Sequence, residues 1–160
     1  MTDELSLVGK VIALHRAFDD AGVAHAFGGA IALAYYAEPR ATKDIDVNVA
    51  VEPFETDRLL AALPAGVERI GDERENAERD GQLRLWWGAT PLDLFLGFHE
   101  FHRQLAENAR LVPFADTSIP VIDGADLVVH DRASPSIPRI ASIRPHPILA
   151  PDRTPGRQRS

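Results

Sequence analysis

Leu7, Val11, Ile12, Leu14 and Phe18 recur at helical spacing, which predicts a helix over Leu5–Ala21 stopped by Gly22. Val23–Phe27 is a short apolar run that suits a buried strand. Gly28-Gly29 breaks it, and Ala30–Ala37 resumes as a helix ended by Pro39. Lys43–Val51 changes period. Ile45, Val47 and Val49 alternate with Asp44, Asp46 and Asn48, so the segment is a strand with one polar face. Pro53–Leu63 reads as an amphipathic helix and Gly71–Gly81, dense in charge, as a solvated loop or frayed helix. Gln82–Gly88 and Thr90–Leu96 form an antiparallel hairpin around Gly88-Ala89, with Trp86 and Trp87 expected in its packing. A helix over His99–Arg110, short strands at Arg110–Phe114 and Ile119–Ile122, and a helix start at Gly124–Val129 complete the pattern.

The pattern stops near Asp131. The last 30 residues hold six of the 12 prolines and show neither period, so residues 131–160 are expected to be a disordered, Pro/Arg-rich tail behind one folded domain over 1–130. Charge divides at the same place. The chain has net charge −7, yet the tail carries six basic and two acidic residues, whereas the first 130 residues carry 11 basic and 22 acidic, a net of −11. An acidic body is a poor non-specific partner for nucleic acid, because phosphates are neutralised by Lys and Arg. With no cysteine there is no disulfide framework, thiolate metal site or cysteine nucleophile, which fits a reducing cytoplasm. No secretory signal or membrane span is expected.

Three short segments carry candidate chemistry. Phe27-Gly28-Gly29-Ala30 stands at a strand-to-helix junction. Glycines there allow positive φ and close backbone approach, and a helix start favours an anion, although a plain turn asks for the same residues. Asp44 and Asp46 are two apart on a strand and project from one face. Like charges so near one another repel, and a divalent cation with oxygen ligands removes the conflict; two independent acids on a wet edge would give the same spacing. Asp93 lies inside Leu92-Asp93-Leu94-Phe95-Leu96, where an acid needs a metal, a hydrogen bond or a cation such as Arg84. His99 and His102 are spaced three apart, whereas a helical zinc pair is spaced four apart and needs a third ligand, so they are not assigned a metal.

Taken in order, the Gly-Gly turn, the Arg40-Ala41-Thr42-Lys43 run, the Asp44-Ile45-Asp46 pair and the later Asp93 resemble the nucleotidyltransferase fold of the polymerase-beta superfamily, and most resemble its AbiEii-like members, many of which are toxins of toxin–antitoxin pairs. The resemblance spans roughly residues 20–130. It implies an α/β fold with a mixed sheet backed by helices, and transfer of a nucleoside monophosphate from an NTP to a hydroxyl. It implies two Mg2+ ions held by Asp44, Asp46 and Asp93, and a nucleotide met by Gly28, Gly29, Arg40 and Lys43. The acceptor would be transfer RNA or, as in aminoglycoside-type enzymes, a small molecule, and a cognate antitoxin is an implied partner. A truncated, inactive remnant or a binding module that keeps the fold is the other reading. Relatives continue after a segment like Ala125–Val129 into a Lys-bearing helix, whereas here the chain passes into the proline–arginine tail, as a shifted reading frame would.

Overall fold

The computed structural model describes residues 5–36, 43–97 and 100–123. Pro39, Arg40, His99, the expected helix at Gly124–Val129 and the tail lie outside them.

Helix α1 (Leu7–Asp20) starts where the Ser6 hydroxyl accepts the Gly9 backbone N–H at 3.1 Å, and ends before Gly22, which takes φ +67°. It buries Lys10, Val11, Leu14 and Phe18, so one turn of the apolar stripe is a lysine. The Lys10 ammonium donates to the Trp87 carbonyl at 2.9 Å and to the Thr90 hydroxyl at 3.0 Å, which satisfies two of its N–H donors and ties the helix to a hairpin turn.

Strand β1 (His25–Phe27) leads through Gly28 into α2 (Gly29–Tyr36), and β2 (Ile45–Val49) follows. A 3-10 turn (Pro53–Glu55) runs into α3 (Thr56–Ala62). Next come β3 (Val67–Glu68), α4 (Glu73–Asp80), β4 (Gln82–Trp87), β5 (Thr90–Phe95), α5 (Glu100–Glu107), β6 (Arg110–Phe114) and β7 (Thr117–Val121). One seven-stranded sheet orders them β3-β4-β5-β2-β1-β7-β6. The sheet is mixed, because β2 runs parallel to β5 and β1 parallel to β7 while the other neighbours are antiparallel. Phe18, Phe27, Ile45, Leu59, Leu83, Leu85, Leu92, Leu94, Leu105 and Ile119 fill one continuous core. Among the described residues no helix is long and apolar enough to cross a membrane.

Three expectations change. The charged stretch before Gly81 is the regular helix α4, because Ala77 and Glu73 face inward and Gly81 closes it in the left-handed region. The polar side of β2 is not wet. Flanked by β1 and β5 and packed by α2 and α5, the strand buries Asn48 completely and Asp46 partly. The two tryptophans part company: Trp87 packs into the core and Trp86, on the other face of β4, is 42% exposed.

Candidate active site

Strand register assembles the site. In the parallel β2–β5 pair Asp46 sits directly beside Asp93, and in the antiparallel β4–β5 pair Asp93 sits directly beside Arg84. Side chains in register share a sheet face, so the three form a row across neighbouring strands about 4.8 Å apart. Arg84 grips Asp93 with a two-point fork, Nε to Oδ1 at 2.8 Å and Nη2 to Oδ2 at 2.7 Å. The cation that could satisfy an acid in an apolar strand is therefore in place, and Asp93, only 5% exposed, is paired rather than stranded. The same fork holds the Arg84 guanidinium charged far above any accessible pH.

Asp46 is in a different condition. Burial, then the charges of Asp93 and Asp44, push its carboxyl up to about 6; Arg84 opposes the rise, and a hydrogen bond with Asp93 adds to it. Two carboxylates side by side repel when both are charged, and burial adds to the cost at Asp46. Asp44, exposed at the entry to β2, contributes its charge from two residues away. Among the described residues no three His, Cys, Asp or Glu side chains form a group that could hold a metal ion; the register places Asp46 and Asp93 side by side, and Asp44 acts on Asp46 by charge.

The Gly-Gly turn belongs to the same assembly. The Gly28 N–H donates to the Asp46 carbonyl at 2.9 Å, fixing the turn to β2. Gly29 has φ +52°, and a Cβ added there would lie 1.9 Å from Asp46 Oδ2. The carboxylate occupies the place of the missing side chain, so glycine is required by Asp46 itself, whatever phosphate the turn also admits. At Gly28 a Cβ would come within 2.9 Å of the Ile122 side chain and 3.5 Å of Asn48 Nδ2. Asn48 follows Asp46 on the same face and is 1% exposed, and among the described residues its Oδ1 has no hydrogen-bond partner. Lys43 is exposed just before the acids. Arg40, His99 and the side chain of His102 lie outside the described residues.

The sequence carried no sign of two further features. Lys10 reads as a polar interruption of a helix, and only the fold reveals the carbonyl it meets. The His15–His25 pair, ten residues apart, is joined by an Nδ1···Nε2 hydrogen bond of 2.9 Å. His25 Nδ1 lies 2.7 Å from the Val23 carbonyl, which can only accept. His25 therefore carries its proton on Nδ1, and His15 donates to its Nε2.

The donor chemistry fits a divalent cation. Asp46 and Asp93 are adjacent hard oxygen donors whose charges oppose one another, the setting in which a divalent cation with oxygen ligands is stabilising.

No family model matches the chain, and no curated protein matches it. Among solved structures it is similar to the solution structure of the antibiotic-resistance factor ANT(2'')-Ia, with a TM-score of 0.51 and 15% identity over 81% of this chain and 74% of that one. At that identity the likeness concerns architecture alone, a mixed sheet backed by helices.

Proposed function

We propose that the protein is a metal-dependent nucleotidyltransferase that moves a nucleoside monophosphate from an NTP onto a hydroxyl of a small, cationic acceptor. The observation that carries this reading is the seating of Asp46, pressed against Gly29 on one side and against Asp93 on the other, in a fold of nucleotidyltransferase type. The Gly28-Gly29 turn lets a triphosphate approach the backbone at the start of α2. Asp46 and Asp93, with Asp44 beside them, are the residues to hold Mg2+. The metal would supply charge neutralisation at the phosphates and activation of the attacking oxygen. Arg84 orients Asp93 through its two-point fork. Of the possible acceptors, RNA asks for a basic surface, whereas the first 130 residues carry a net charge of −11. Charge therefore favours a small polycation, and the antibiotic-resistance factor of similar fold agrees with that choice.

The test uses each of the four NTPs, labelled at the α-phosphate, with Mg2+ and two acceptor sets, a panel of aminoglycosides and bulk transfer RNA. Label should pass to the aminoglycoside set. Asp46→Asn keeps the shape and removes the charge, and should lower transfer by roughly three orders of magnitude, as expected for loss of a metal-dependent barrier reduction of several kcal/mol. Full transfer by Asp46→Asn, or by the wild type in EDTA, would refute the metal-dependent mechanism, and label on transfer RNA alone would refute the choice of acceptor.

A further inference from the structure

We propose that Trp86 is a specificity-determining residue of this site, its exposed indole being the platform on which a ring of the acceptor lies while the acceptor's hydroxyl reaches the Asp46–Asp93 pair. The inference deepens the nucleotidyl-transfer reading and rests on it.

The two adjacent tryptophans are sorted by the strand. Along β4, Leu83, Leu85 and Trp87 turn into the core, and Gln82, Arg84 and Trp86 turn outward. Trp86 therefore shares its face with Arg84, and through the register with Asp93 and Asp46. It is a large aromatic side chain left 42% exposed on this face. Two strand spacings across and two residues along place its backbone about 12 Å from that of Asp46, a span bridged by a molecule of two or three rings.

The direction of the chemistry selects the acceptor rather than the nucleotide as occupant. Gly28 and Gly29 lie on the β1 side of Asp46, and Asp93, Arg84 and Trp86 lie on the β5–β4 side, in the strand order β1-β2-β5-β4. In an in-line displacement the attacking oxygen and the leaving pyrophosphate stand on opposite sides of the reacting phosphorus. With the phosphates over the glycine turn, the hydroxyl arrives from the side that Trp86 occupies. In the balanced reaction the acceptor O–P bond forms, the bond from the α-phosphorus to the bridging oxygen breaks, the electron pair leaves with pyrophosphate, and the hydroxyl proton passes to solvent or to a site carboxylate.

Charge narrows the occupant further. Glu68 is exposed and pairs with Trp86 across β3–β4, so a carboxylate adjoins the indole. Arg84, two residues away on the same face of β4, is committed to Asp93. An indole face flanked by acid attracts cationic substituents, and its flat surface accepts the C–H face of a saturated ring. A polycationic, ring-built acceptor fits this surface, and a polyanionic strand does not.

The test uses the full chain, whose two tryptophans report separately: acrylamide reaches Trp86 and is kept from Trp87. Kanamycin A, a ring-built polycation, should shield Trp86 from acrylamide, and spermine, an open-chain polycation, should not. By titration calorimetry Trp86→Ala should weaken kanamycin A binding about tenfold, the scale of a lost aromatic–cation contact, and leave Mg-ATP affinity within about twofold. Trp86→Phe should recover most of the loss, and both variants should keep the wild-type circular dichroism spectrum. Unchanged kanamycin A affinity in Trp86→Ala, no binding to the wild type, or shielding by an oligoribonucleotide in place of kanamycin A would each overturn the proposal. The quenching arm needs no variant, so a folding defect leaves it decisive. A wild type that binds kanamycin A through Trp86 but none of the four Mg-NTPs would overturn the transfer reading itself, and the acceptor role of Trp86 with it.

Discussion

The two ends of strand β1 treat buried polar groups in opposite ways. At the His25 end the polar contacts close: His25 donates to the Val23 carbonyl and accepts from His15, and its ring meets Phe18 at a tilt and Phe27 edge to face. At the Gly28 end the contacts conflict. Asp46 is crowded by Asp93 and Asp44, and Asn48 Oδ1 has no partner among the described residues. The first arrangement is what a fold uses to stay together. The second costs stability and persists in natural proteins where a ligand completes it. The ends also respond to pH with opposite sign. Burial depresses the His25 pKa, so its contribution is complete above the ordinary histidine value and is lost as pH falls through the depressed one. The raised pKa of Asp46 works the other way: its contribution is complete below the ordinary carboxylate range and is lost as pH rises through about 6.

Substitutions at each end should separate these roles. The largest effect is expected at Gly29→Ala, whose methyl would overlap the Asp46 carboxylate at a positive φ. Strain of this kind costs about 1–3 kcal/mol and would drive Asp46 away from Asp93, so nucleotidyl transfer should fall at least as far as in Asp46→Asn while urea unfolding shows a moderate loss. Transfer at the wild-type rate by Gly29→Ala would break the link between the glycine turn and the acid. At the closed end, His25→Ala should cost about 2 kcal/mol in urea unfolding, from lost hydrogen bonds and a cavity, and leave the KM for NTP unchanged. A shift in that KM would show that the far end of β1 also serves the site.

Most of this architecture was legible because local patterns and tertiary packing agree. The α1 stripe, the period of two in β2 and the hairpin around Gly88 each determine an element without outside help. The acids were legible as types at a spacing, and the Arg84–Asp93 pair was named as one solution for a buried acid. What sequence could not resolve depends on neighbours far away in the chain. Asn48 alternates like a surface residue and is buried because β2 is an inner strand. Adjacent tryptophans look alike until the strand sends them to opposite faces. α4, nearly devoid of apolar residues, becomes a helix because Ala77 and a left-handed Gly81 suffice once it packs beside β4 and the 3-10 turn. The glycines were read as room for a ligand, and the structure adds that Asp46 already fills that room.

A smaller effect sharpens the comparison. In metal-free buffer at pH 8, Asp46→Asn should be more stable than the wild type by about 2 kcal/mol, the scale of a carboxyl pKa raised by burial and like charge, and the gain should vanish near pH 4. Chemical denaturation at the two pH values measures it. A variant less stable than the wild type at pH 8 would mean that the acid contributes to the fold and that its crowding is only apparent.

The central claim is that the Asp46–Asp93 pair is a cation site left in conflict by the protein alone. The most direct test is thermal unfolding of the wild type and of Asp46→Asn at pH 7.5, each with and without millimolar MgCl2. The account predicts that Mg2+ raises the wild-type unfolding temperature, because a ligand bound only by the native state stabilises it, and that Asp46→Asn, already relieved of the conflict, responds little. Equal responses of the two proteins to Mg2+, or no response by the wild type, would contradict it.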